Sequence, residues 1–151
     1  MTKIYVDGDA CPVKNEIIKV SERYGVDVLI VSNTWLRNVK GRNVRSIVVP
    51  EGPDEADNWI VDQIEPNDVC VTGDIPLAKR CLEKGAATVG HKGKEFTADS
   101  IGMAIAVRDL KSELRATLSF KDTSKQFDKK DRSRFLSTLD KILFIKKRNT
   151  E

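Results

Sequence analysis

The chain has 151 residues, 40% hydrophobic and 32% charged, which suits one soluble globular domain long enough to bury a core. Its three cysteines, Cys11, Cys70 and Cys81, are odd in number and widely spaced. That spacing argues against a disulfide framework or a cysteine zinc site and predicts a reducing, cytoplasmic setting.

The sequence runs straight into an apolar strand pattern, so no signal peptide is expected, and no apolar run approaches membrane-spanning length. Net charge is +3 but unevenly placed: residues 1–116 carry 16 Lys/Arg against 18 Asp/Glu, and residues 117–151 carry 10 against 5. An acidic body with a basic C-terminal loop and helix suits a partner bearing phosphates; a solvated basic surface is the competing reading.

Ile4-Tyr5-Val6 is a short β-favouring run and predicts a buried strand. Asp7 and Asp9 follow it two residues apart, so an extended backbone sends both side chains from one face. Like charges that close are costly unless a positive group sits between them. Pro12 has the φ of a first helical residue, and Val13, Ile17, Val20 and Tyr24 predict a helix over 12–24, stopped by Gly25. Residues 27–31 are continuously apolar, as in a strand buried on both faces of a parallel sheet. Residues 34–43 read as a polar loop. Residues 45–49 form a third predicted strand, and a helix follows from Asp54 with acids in its first turn, where the dipole favours them. Val69 to Thr72 is a fourth strand, then a helix through Lys84 closed by Gly85, then a short fifth strand over 87–89. Thr97 is placed to cap a helix over 98–115 with Ile101, Ile105 and Leu114 as its buried stripe. A polar loop of about a dozen residues leads to a last helix from about Asp131, with Phe135, Leu139, Ile142 and Leu143 facing inward.

Four alternations of strand and helix predict a three-layer α/β/α domain with a mostly parallel five-stranded sheet. In such sheets ligands bind beyond the carboxyl ends of the strands, where strand order reverses. With order 3-2-1-4-5, Asp7 and Asp9 after the first strand and Asp74 after the fourth face one another, with Asp57 on a helix starting from the same edge. A carboxylate-only cluster is the environment that Mg²⁺ or Mn²⁺ prefers, and such ions activate water and stabilise displacement at phosphorus. Each acid has a structural alternative: Asp9 and Asp74 as helix caps, Asp54 and Asp57 as dipole partners. Capping alone does not call for two carboxylates in one short loop.

Asp7-Gly8-Asp9-Ala10-Cys11-Pro12, Ala56-Asp57-Asn58 with Ile60, Thr72-Gly73-Asp74-Ile75-Pro76-Leu77-Ala78, Lys84-Gly85-Ala86-Ala87 and Lys130-Asp131-Arg132 with Phe135 and Leu139 resemble, nearly end to end, the YaiI/YqxD family of bacterial proteins. That family has no established function and is grouped by fold with the PIN-like nucleases. The resemblance implies a PIN-like fold and the acidic metal centre of those ribonucleases, held here by Asp7 or Asp9, Asp57 and Asp74. The chain departs from the family pattern at Gly8 and Gly73, where Ala is usual, and over 119–128, which replaces an expected Gly-Gly-Pro turn.

Around these acids, Asn33 is a candidate contact for a phosphate or base, against an Asx-turn. Arg37, Lys40 and Arg42 could track a phosphate backbone, or simply be solvated. Arg132 opens the final helix, where a cation opposes the dipole and a bound anion would resolve the mismatch. Trp35 could stack on a base; Trp59 reads as core, Cys11 as a small core residue and His91 as a surface residue. The expectation is a metal-dependent phosphodiesterase acting on RNA, with Asp7, Asp9, Asp57 and Asp74 as ligands and Asn33, Arg37 and Arg132 as substrate contacts. The alternative is a non-catalytic RNA- or nucleotide-binding module. A phosphatase with Asp7 as nucleophile is disfavoured by the lack of the Thr that should follow the acid pair.

Overall fold

Alternation inside the apolar runs divides the side chains between two layers. In strand β1 (Lys3–Asp7), Ile4 and Val6 face one layer and Tyr5 the other, because successive strand residues point to opposite faces. Strand β2 (Asp27–Ser32) does the same, with Val28 and Ile30 on the first side and Val31 on the second. The computed structural model describes residues 2–8, 11–35, 41–52, 54–103, 106 and 127–150.

Helix α1 (Lys14–Tyr24) follows β1, and β2 leads to β3 (Val44–Val48), α2 (Glu55–Gln63), β4 (Val69–Val71), α3 (Ile75–Glu83), β5 (Ala87–Val89) and β6 (Glu95–Phe96). Residues 98–103 are helical, and helix α4 (Lys129–Thr150) closes the described chain. The sheet order is β3-β2-β1-β4-β5-β6, so strand order reverses between β1 and β4, as expected. The first five strands are parallel, and β6 runs antiparallel to β5. Helices α1 and α4 pack on one face around Ile17, Val20, Phe135 and Leu139. Helices α2 and α3 pack on the other around Ile60, Leu77 and Cys81, completing the three-layer arrangement.

The structure differs from the sequence reading in four places. The sheet has six strands among the described residues rather than five. Strand β6 is two residues long in a Lys- and Gly-rich stretch, so it carries no periodicity; its turn closes through Gly90 N–H to Lys94 O at 2.8 Å. Helix α1 starts at Lys14, not Pro12, with Val13 at the cap position and no side-chain cap bond. Helix α4 starts at Lys129 because Asp128 and Asp131 cap each other's backbone N–H groups at 2.9 and 3.0 Å, a reciprocal capping box. Trp59 is half-buried, tilted against Tyr5 with ring centroids 6.1 Å apart, rather than fully in the core.

Other expectations are met. Thr97 and Ser100 exchange cap hydrogen bonds at the start of the helix from Ala98, although Ile105 and Leu114 of its expected stripe lie outside the described residues. Phe135, Leu139, Ile142 and Leu143 are all buried, and Cys11, Cys70 and Cys81 are free and buried. Among the described residues no helix is long and apolar enough to cross a membrane.

Candidate active site at the carboxyl rim

Parallel strands end together, and this places residues 7, 72 and 74 side by side. Asp7 is the last residue of β1, paired with Val31 of β2. Thr72 follows β4 directly. Its hydroxyl donates to Asp7 Oδ2 at 3.2 Å and accepts from the Asp74 N–H at 2.9 Å. One buried threonine thus ties the two acid-bearing segments across the reversal of strand order. Asp74 is the N-cap of α3: its Oδ1 accepts from Leu77 N–H at 3.0 Å, and Pro76 follows in the first turn, where its missing N–H costs nothing. Capping engages one carboxylate oxygen and leaves the group at the rim, so the structural and functional readings of Asp74 are compatible.

Asp57 reaches the same rim from the first turn of α2. Burial, then the negative charges of Asp74, Asp7 and Asp54, push its carboxyl up from the ordinary 3.8 to about 6, against the opposing pull of Arg80. Three acids from β1, α2 and the β4–α3 loop therefore feel one another, and like charges in partly desolvated surroundings favour the protonated form. Asp54, beside them, stands in the left-handed region at φ 66° with no side-chain cap bond. Asp9 lies outside the described residues. Among the described residues, no three His, Cys, Asp or Glu side chains come close enough to hold a metal ion by themselves. The donors are carboxylate oxygens, the class that hard dications take, and Mg²⁺ commonly binds through one or two carboxylates with water completing its shell.

Other predicted contacts spread around this centre. Asn33 follows β2 on the same edge and is exposed, as is Trp35, at 68%. Arg37 and Lys40 lie outside the described residues. Arg132 is engaged within the protein: its Nη1 donates to Pro12 O at 3.0 Å and to Glu16 Oε1 at 2.9 Å, and its guanidinium lies 4.9 Å from the centroid of the Phe127 ring. Glu16 thus offsets the charge that the sequence reading assigned to a bound anion. Cys11 is buried, and burial foremost pushes its thiol up to about 11, which makes it an unreactive core group.

Sequence reasoning missed Thr72 and placed His91 on the surface. The signal for Thr72 was a polar β-branched residue at a strand end, directly before Gly73-Asp74. His91 belongs to the β5–β6 turn, half-buried, with its Nε2 shielded from solvent and unpartnered. An unsatisfied buried polar atom costs about 1–3 kcal/mol. Its imidazole lies over Gly73, where a Cβ would come within 3.2 Å of the ring. Nothing local foretold this, because the contact joins two loops through the β4–β5 pairing.

The chain matches the model of the uncharacterised bacterial YaiI/YqxD family over residues 5–145. It is similar to a UPF0178 protein of Parvibaculum lavamentivorans, 56% identical over 149 residues and covering 98% of both chains. It is 52% identical over 148 residues to the UPF0178 protein amb2838 of Paramagnetospirillum magneticum, again covering 98% of each. The UPF0178 protein mlr0875 of Mesorhizobium japonicum is 53% identical over 140 residues, 93% of this chain and 90% of its own. No solved structure matches the chain.

Proposed function

The chain belongs to the YaiI/YqxD family, and from that premise we propose that it is a cytoplasmic, divalent-metal-dependent phosphodiesterase acting on RNA. The observation that carries this reading is the crowding of Asp7, Asp57 and Asp74, from three separate elements, at the point where strand order reverses. A fold gains nothing in stability from such repulsion, so the conflict marks a site. Carboxylates drawn from Asp7, Asp9, Asp57 and Asp74, with water completing the shell, would hold Mg²⁺ or Mn²⁺, which supplies charge neutralisation at phosphorus and a water of lowered pKa.

The remaining chemistry belongs to the chain itself. Thr72 holds Asp7 and the Asp74 backbone in register. The α3 N-terminus fixes the Asp74 side chain through Leu77 N–H. Asp57, pushed up to about 6 by burial and the neighbouring acids, would be drawn to its charged form by a dication among them. Asn33, the loop cations Arg37, Lys40 and Arg42, and the basic C-terminal helix are the proposed backbone contacts, while Arg132, paired with Glu16, seats that helix instead of binding substrate. The PIN-like assignment implied by the family resemblance is part of the same proposal.

Asp74→Asn keeps an oxygen for the α3 cap and removes a charge. It should abolish Mn²⁺-dependent cleavage of an RNA oligonucleotide while leaving the circular dichroism spectrum unchanged. Retained cleavage in that variant would rule the site out. A second reading, a binding module without turnover, uses the same rim with the exposed Asn33 and Trp35 that follow β2 on that edge. That reading predicts salt-sensitive RNA binding and no product with any divalent ion.

A further inference from the structure

Spacing along the last helix sets a mixed polar and apolar stripe beside the edge of the sheet. Thr138, Lys141, Ile142, Ile145, Lys146 and Asn149 recur at three- and four-residue steps, so they share one side of α4. Opposite them stands the β5–β6 hairpin, and a groove of about 430 Å³ lies between the two, within the usual size of a small-molecule site. The hairpin turn closes one end. There Thr138 Oγ1 donates to Gly93 O at 2.7 Å, and a Cβ on Gly93 would fall 2.6 Å from the backbone of Arg134 and Phe135. From Thr138 to Asn149 the groove follows α4 for about 16 Å at the α-helical rise. It is open to solvent, because Lys141 and Asn149 are exposed and Ile145 is 46% exposed. Ala87 and the buried Ile142 form an apolar floor.

Charge and shape together narrow the ligand. Glu95 is the one acid among the described residues that line the groove, and with Asp68 it acts on the half-buried Lys146. Lys141 forms no hydrogen bond or ion pair with a described residue, so the fold leaves one ammonium at the groove for an anion. A lipid chain would want apolar lining throughout, whereas here cations, an amide and a carboxylate alternate with Ile142 and Ile145. We propose that the groove is a subsite for single-stranded RNA, holding one unpaired nucleotide with its base on Ile142 and Ile145 and its phosphate at Lys141. This rests on the RNA reading of the acidic rim and narrows it to unpaired strands. The turn that closes the groove also carries His91, whose ring lies over Gly73, next to Asp74, so groove and rim are neighbours. A nucleotide has apolar faces and polar edges in the arrangement the groove offers. The Asn149 amide presents a donor and an acceptor to a base edge, and the Glu95 carboxylate accepts from a ribose 2′-hydroxyl. Phe144, one position before Ile145 and 55% exposed, offers its ring to the next base.

The full-length protein in excess EDTA would be titrated with a fluorescein-labelled uridine hexanucleotide and followed by fluorescence anisotropy. Lys141→Met should weaken binding about 5- to 10-fold, the order of one lost charged contact. It should also reduce the slope of log affinity against log salt by about 0.7, one phosphate on a single strand. Ile145→Lys adds a cation but puts a charged chain where the base lies. Its affinity should fall about 10-fold, the scale of one lost base contact, although a merely basic surface would bind more tightly. Both positions are exposed, and an unchanged melting temperature checks that the variants fold. A hairpin duplex of equal charge should bind more weakly than the single strand. Tighter binding by Ile145→Lys, equal affinity for the duplex, or no effect of Lys141→Met would overturn the subsite. So would RNA left unbound while an oligoglutamate peptide binds through Lys141, which would make the groove a peptide site. Since EDTA removes turnover from the measurement, groove-dependent binding without any Mn²⁺-dependent cleavage leaves the subsite standing and sinks the nuclease. Cleavage with wild-type affinity in both variants does the reverse.

Discussion

Asp57 and Asp68 show two fates for a desolvated carboxylate. Asp68 is 3% exposed, yet both its oxygens are used: Oδ1 accepts from Lys3 N–H at 3.0 Å and Oδ2 from Glu65 N–H at 2.9 Å. It ties the start of β1 to the turn before β4. Removing an acceptor that serves two part-buried N–H groups breaks both ties, so Asp68→Ala should cost about 1–2 kcal/mol. Denaturant unfolding at unchanged slope would measure that loss, and a loss under 0.5 kcal/mol, roughly the scale of a surface change, would contradict this account. Asp57 has acids where Asp68 has donors, and its carboxyl rises to about 6. From about pH 4 to about pH 6 the folded protein therefore keeps a proton that the unfolded chain has released. Stability falls as pH rises through that window, by on the order of 1 kcal/mol once solvent screening is allowed for. Asp57→Asn should flatten melting temperature against pH over that range and leave the variant at least as stable as wild type at pH 7.5. A steeper dependence in the variant would show that the repulsion lies elsewhere.

At the scale of elements, what matters is how hairpin and helix ends meet. Gly93, at φ +85°, is both in the left-handed region and in contact with the α4 backbone. Gly93→Ala would strain the backbone and push the β5–β6 turn away from α4. The expected loss is about 2–3 kcal/mol, from the overpacking and positive-φ costs together. Hydrogen exchange should then speed up at Val89 and Glu95, the β5–β6 pair, with no change at β2; uniform acceleration would point to global destabilisation instead. Helix α4 is fixed at its other edge by Arg132, whose bonds to Pro12 and Glu16 join it to the start of α1. That pairing explains a cation in a first turn that sequence alone reads as a mismatch.

For the whole molecule, the acidic rim costs the fold stability that a ligand could return. On the proposed reading a dication would relieve the repulsion that Asp7 and Asp74 exert on Asp57, so the folded state should gain what binding supplies. At a metal concentration about 100 times the dissociation constant the gain is about 2.7 kcal/mol. In a chain of this size each kcal/mol raises the melting temperature by about 2–4 °C. Mg²⁺ or Mn²⁺ at pH 7.5 should therefore raise it by several degrees in wild type and much less in the Asp57→Asn, Asp74→Asn double variant. An equal rise in both proteins would mean that the ion binds somewhere else.

The strand-and-helix alternation and the candidate acids were legible in the chain, because they depend on local features: short apolar runs, Gly25 and Gly85 as stops, Pro76 in a first turn, aspartates at strand ends; the order 3-2-1-4-5 was only a supposition there, because it depends on pairing between distant strands. The two-residue strand β6 was not legible, since too few residues carry its pattern. Nor was Arg132's partnership with Glu16, 116 positions away in the chain.

By itself, then, the sequence determined the layers and which acids fall on the carboxyl edge, because backbone propensity and side-chain period act over a few residues. Only the tertiary structure decided that Thr72 joins Asp7 to Asp74, that Asp57 is pressed up to about 6, and that His91 stands over Gly73 instead of in solvent. Those outcomes depend on how closely separate loops approach one another, and that distance is set by packing across strands far apart in the chain.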